Sequence, residues 1–133
     1  MTAETAYLLA RILTCGIWVS AGLYKMTHFK YTVKDMTGLG VPLASISLPI
    51  VLILEMVGSA MLIADYYVWA VSLAWLLFLI PASWMYHFRF MIKDGTIVFV
   101  QMVLAWKNVS IAGGLIALIL LDKSAPSWLI AAP

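Results

Sequence analysis

Glu55 stands near the middle of a long apolar run and is the only acid within it. It lies about ten residues, or ~15 Å along a helix, from either end of that run. A charged carboxylate at that depth in a membrane costs roughly 2.5–3.5 kcal/mol on insertion scales. Such a group must face other helices, where it meets a cation or takes up a proton. Arg11, Lys25 and Lys107 are the candidate partners, and Gln101 and Asn108 add two amides within another apolar run. Groups of this kind can staple helices together, move a proton, or fix the polar head of a ligand in a mainly apolar pocket.

Helical spacing sorts these residues onto faces. Arg11, Trp18, Gly22 and Lys25 share one side of a first helix, since steps of seven, four and three return near the same direction. Leu48, Leu52, Glu55, Ser59 and Leu62 form a stripe on a second helix, with Gly58 beside it in a Gly58-Ser59-Ala60 patch that allows close helix approach. Gln101, Leu104, Asn108 and Ala112 share a face of the last helix, with Lys107 one step around. Three readings stay open. The cluster is a structural staple, or a proton-linked or ligand-binding site, or some cations, Lys25 and Lys107 first, turn outwards to the membrane surface.

The elements that hold these residues follow from composition. Of 133 residues, 65% are apolar and 11% charged, and mean hydropathy is +1.04. Soluble domains are near half apolar and a quarter charged, and disordered chains need the opposite balance. Four runs reach the roughly 20 residues that a 30 Å hydrocarbon core requires: about 5–24, 45–64, 66–86 and 96–121. Backbone groups in lipid must be satisfied within the segment, so these are helices. The expected fold is all-α, one transmembrane domain over 1–133, an antiparallel four-helix membrane bundle. Its first run lacks the basic start and cleavage site of a signal peptide and counts as a span. Asp65 separates runs two and three by a tight hairpin, while the first connection, about 25–44, ends in the turn signal Thr37-Gly-Leu-Gly-Val-Pro42. Segment 87–95 mixes aromatic, apolar and basic residues, which suits an interfacial position between helices three and four. Lys25, Lys30, Lys34, Arg89 and Lys93 load the first and third connections, so those face the cytoplasm and both termini lie outside it.

Several chemistries find no support. The eight Lys and Arg, net charge +2, form no basic stripe with interleaved aromatics, so nucleic acid is not an expected partner. A single cysteine, Cys15, makes neither an internal disulfide nor a thiolate metal cluster. His28 and His87 sit at interfaces rather than deep in facing helices, where haem b would need them, and His87 reads as a solvated side chain. Gly38-Leu-Gly40 lacks the strand and helix context of a dinucleotide fingerprint. No catalytic residue and no metal are expected, and no cofactor of the chain's own.

In order and spacing, these residues resemble a known family. Gly22-Leu-Tyr-Lys25 after Arg11, Leu39-Gly-Val-Pro42, Glu55-Met-Val-Gly58 and Asn108 in a final Ala-, Gly- and Leu-rich helix are similar to DoxX-like membrane proteins. The resemblance implies a small four-helix bundle in a bacterial-type inner (plasma) membrane. The family is named for a small subunit of an archaeal terminal quinol oxidase and thiosulfate:quinone oxidoreductase. Relatives are linked to methylamine utilisation and to oxidative-stress complexes. Arg11, Lys25, Glu55 and Asn108 match the family's polar set by position. Lys107, Gln101 and the stretch Tyr86-His-Phe-Arg89 depart from it.

Two functions follow as expectations. In the first, the chain is an accessory subunit of a respiratory or dehydrogenase complex, surrounded by membrane lipids and other subunits. In the second, it stands alone and binds quinone or another lipid-like molecule between helices, at a site drawn from Arg11, Lys25, Glu55, Gln101, Lys107 and Asn108. A transporter is the third alternative, disfavoured because four helices without repeats would need oligomerisation to line a path.

Overall fold

The computed structural model describes residues 2–130. Four long helices form the bundle: α1 (Ala3–Thr27), α3 (Ala44–Ile63), α4 (Val68–Tyr86) and α5 (Phe99–Leu121). All four are long and apolar enough to cross a membrane. The short α2 (Phe29–Gly38) follows α1, and a short α6 (Ser127–Ile130) follows α5. Between α4 and α5 lie a 3-10 turn (Phe88–Phe90) and a two-stranded hairpin, β1 (Ile92–Lys93) with β2 (Thr96–Ile97).

The ends of these helices differ from the apolar runs for local reasons. α1 starts earlier because Thr2 caps it, its side chain accepting the Thr5 N–H, with Glu4 in the first turn. α4 starts at Val68 because Asp65 and Tyr67 adopt positive φ, at 59° and 47°, which closes the hairpin from α3. α5 starts at Phe99 because Thr96 and Ile97 are spent on the β-hairpin. Asp94 and Gly95, both at positive φ (51° and 77°), form its two-residue turn, the geometry of a type I′ connection. Within the first connection, the ten residues of α2 form a helix that buries Thr32 and Met36.

α1 and α3 run antiparallel in a register set by successive contacts. Arg11 reaches Leu62 O, Cys15 Sγ donates to Ser59 O, and Lys25 reaches Glu55. Asn108 Nδ2 of α5 donates to Ser83 Oγ near the end of α4 at 2.9 Å, and the Trp69 N–H at the start of α4 donates to Asp122 at the end of α5, so that pair is antiparallel too. The bundle therefore has a basic end, carrying α2 and the β-hairpin, and an opposite end, carrying the start of α1 and the α3–α4 hairpin.

Two apolar clusters fill it. The larger joins α1, α3, α4 and α5 through Cys15, Trp18, Leu62, Val71, Trp75, Leu79, Leu115 and Leu118. The smaller, Met36, Ala44 and Leu48 with Tyr86 against them, lies under α2 at the basic end. Trp18 and Trp75 stack at 4.4 Å between ring centres, and Trp75 Nε1 donates to Leu54 O at 3.0 Å. Gly58 makes room for this: a Cβ there would sit 3.0 Å from Trp75 Nε1 and 3.1 Å from Val71 Cγ1.

Candidate functional site

α1 brings Lys25 to α3, where its ammonium donates to Glu55 Oε1. Gly22, one turn earlier on α1, permits the approach, since a Cβ there would meet Met56 Sδ at 2.7 Å and Glu55 Oε2 at 3.5 Å. The pair is lopsided. The Glu55 side chain is 2% exposed, and that of Lys25 24%. Glu55 Oε2 has no hydrogen-bond partner among protein groups. The pairing removes the penalty of an isolated charge among apolar helices, which is the physical reason the residues meet. It also directs Lys25 inwards rather than to the membrane surface.

Beside the pair lies a cavity of about 450 Å³. Its walls are mainly apolar and come from all four long helices, with Met36 and Val41 closing it at the basic end. The polar groups along it are Lys25, Glu55, Ser47, Tyr86, His87, Lys107 and Asn108. Ile17 on α1 and Lys107 on α5 line the cavity yet are exposed, so it reaches the outside of the bundle beside these two helices. This volume, mostly apolar with a few convergent polar groups, falls in the range of small-ligand pockets.

The six polar residues singled out from the sequence are thus divided. Lys25, Glu55, Lys107 and Asn108 surround the cavity. Arg11 sits at the opposite end of the bundle, where it pairs with Asp65 at 2.5 Å and donates to Leu62 O at 3.3 Å. Gln101 lies at the start of α5, and its Oε1 is 3.0 Å from His87 Nδ1. Asn108 is spent on Ser83 and joins α5 to α4.

Four polar residues outside that set of six also take part. His87, expected to be solvated, is half-buried, bonds Gln101 and lines the cavity. Tyr86 lines it beside His87, Ser83 receives Asn108, and Asp65 answers Arg11. The last was legible in principle, because Arg11 near one end of α1 and Asp65 in the next hairpin share a level in an antiparallel bundle. Among the described residues, no three His, Cys, Asp or Glu side chains come together as a metal-binding group.

Comparison with known proteins agrees with this architecture. The DoxX family model matches residues 6–88, a stretch that includes Arg11, Lys25 and Glu55. The inner membrane protein YphA of Escherichia coli (strain K12) is 27% identical over 120 residues, covering 90% of this chain and 85% of that protein. No solved structure matches. With four membrane-length helices and a match over more than half its length, the chain belongs to the DoxX family of integral membrane proteins.

Proposed function

We propose that this protein binds a lipid-like molecule inside the bundle, taken laterally from the bilayer, with its polar head beside Lys25. The observation that carries this reading is the cavity of about 450 Å³ lined by apolar side chains and by Lys25, Glu55 and Lys107. Glu55 acts through Lys25: it holds the ammonium in place, leaving N–H donors of Lys25 for an oxygen on the ligand. Isoprenoid quinone is the ligand of this class that would connect the site to membrane redox chemistry. Its ring oxygens would accept from Lys25, and its tail would leave past Ile17 into the bilayer. The basic end, with Lys30, Lys34, Arg89 and Lys93, faces the cytoplasm in this reading.

The test is mass spectrometry of small molecules that stay with the protein through purification in mild detergent. A retained lipid-like molecule is expected for the native chain. It should be lost from Ala82→Trp, which fills the cavity from α4. Native protein free of any such molecule, or equal retention by Ala82→Trp, would remove the cavity from the function.

A second reading makes the chain an accessory subunit of a quinone-linked complex. It is favoured by the charge-free α4, whose Leu77, Ile80 and Trp84 present an exposed apolar face to lipid or to a neighbouring helix. Co-purification with haem- or flavin-bearing proteins in the same detergent would support it.

A further inference from the structure

The groups that a ligand can touch are not balanced in charge. We infer that the cavity takes an anionic head: a single-tailed amphiphile ending in a carboxylate or phosphate, held between Lys107 and Lys25. The inference rests on the reading of the cavity as a lipid-like ligand site and specifies the ligand's class.

Three observations carry it. First, among the described residues Glu55 is the one acid in the cavity wall, set against two lysines, Lys25 and Lys107, while Asp35 stands behind the wall and is occupied by Tyr86. Second, Glu55 is withdrawn. Its side chain is 2% exposed and already holds Lys25, whereas Lys25 is 24% exposed and Lys107 is open. Asn108 and His87 are engaged with Ser83 and Gln101. Glu55 Oε2, though unpartnered, is buried against Gly22, so what a ligand can reach is mainly N–H donors. Third, Lys107 lies about two turns inside a membrane-length helix. No carboxylate of the described residues lies within 4.0 Å of its ammonium.

A cation at such a depth is costly without a counter-charge, and Coulomb attraction there is weakly screened. A neutral ring such as a quinone can accept from Lys25 but leaves Lys107 uncompensated. An anionic oxygen head in the cavity would supply the counter-charge that Lys107 lacks and could accept from Lys25 as well, while Ile17, Val51, Phe78, Leu79 and Ile111 receive its tail.

The experiment is native mass spectrometry of the full chain in neutral detergent, incubated separately with stearate, octadecyl phosphate and octadecanol. These share one tail and differ in the head. The native chain should form one-to-one adducts with stearate or octadecyl phosphate about tenfold more than with octadecanol, as expected for a hydrogen bond to a charged group. The stronger of the two acids identifies the head as carboxylate or phosphate. Lys107→Gln should lower acid binding about tenfold and leave octadecanol binding unchanged. Lys107→Arg should keep the acid preference, and Lys93→Gln, on the β-hairpin outside the cavity, should alter nothing.

Octadecanol binding as well as the acids, or a Lys107→Gln variant that keeps the preference, overturns the inference while the cavity remains a lipid-like site. Absence of all three adducts overturns both.

Discussion

Two ion pairs fasten α1, one to α3 and one to the turn that follows α3, and their surroundings make them unlike. Lys25–Glu55 sits inside the bundle beside a cavity, with its carboxylate 2% exposed. Arg11–Asp65 closes the opposite end, with the cation 7% exposed and the carboxylate 57% exposed. In the first pair the hidden partner is the acid and the reachable one the base; in the second the order is reversed. The difference teaches that identical chemistry can serve two ends of one helix pair differently. The exposed acid at Asp65 lets water share the load of the Arg11 charge, so that contact acts as a clamp. The buried acid at Glu55 holds a partly reachable ammonium at the edge of an apolar chamber, which is the arrangement a ligand site needs.

The comparison is broken most directly at Lys25. Lys25→Met leaves Glu55 buried without a cation and should cost about 3–5 kcal/mol, read as a large drop in melting temperature of the detergent-solubilised protein. The double variant Lys25→Met/Glu55→Leu should recover most of that loss, since a buried pair replaced by apolar groups is often neutral. A double variant as unstable as the single would mean the pair itself, not the stranded acid, holds the helices.

Gly22→Ala sharpens the same point. Its Cβ would press on Met56 Sδ at 2.7 Å beside Glu55, and since a flexible methionine takes up the shift the cost should be about 1 kcal/mol, the low end of overpacking. The same melting measurement checks it, and wild-type stability would show that Met56 yields freely. At the other end, Asp65→Asn should cost about 0–1 kcal/mol, because the carboxylate is solvated. A loss comparable to that of Lys25→Met would erase the distinction between the two ends.

The smallest expected effect is that of salt. Melting curves of native protein and Asp65→Asn should converge as ionic strength rises from about 0.1 to 1 M, where the screening length falls from ~10 to ~3 Å. The penalty of Lys25→Met should stay nearly constant over that range, since water and ions do not surround Glu55.

The four spanning helices were legible because length and hydropathy alone decide whether a helix can cross a membrane. Glu55 was legible as an inward-facing acid for the same reason, since lipid offers it nothing. Which cation answers it was not. Arg11 and Lys25 share a face of α1, and only the antiparallel register, with Cys15 on Ser59 and Gly22 against Met56, brings Lys25 to Glu55 and carries Arg11 on to Asp65. α2 was missed because it is short and far too polar to stand out as a span, although its buried Thr32 and Met36 lie one helical turn apart. The Asp94-Gly95 hairpin was missed although this dipeptide is a strong turn signal, because the mixture of aromatic and basic residues around it drew the reading towards the interface. The cavity itself had no signature in the sequence. It arises from how far apart packed helices stand, which no single run encodes.

The side-chain contacts between helices have one more consequence. α1 is riveted to α3 along its length by Arg11, Cys15 and Lys25, and α4 to α5 by Ser83–Asn108 and by the Trp69 N–H donated to Asp122. Between these two blocks the fastening is sparser: the Trp75 indole on Leu54 O, the Trp18–Trp75 stack and, at the basic end, Arg89 Nη2 donating to Leu39 O. The molecule is thus divided along a seam, and the chamber beside Glu55 lies on it. Widening that chamber asks the blocks to part as a book opens, with the two tryptophans as its spine and neither set of rivets disturbed.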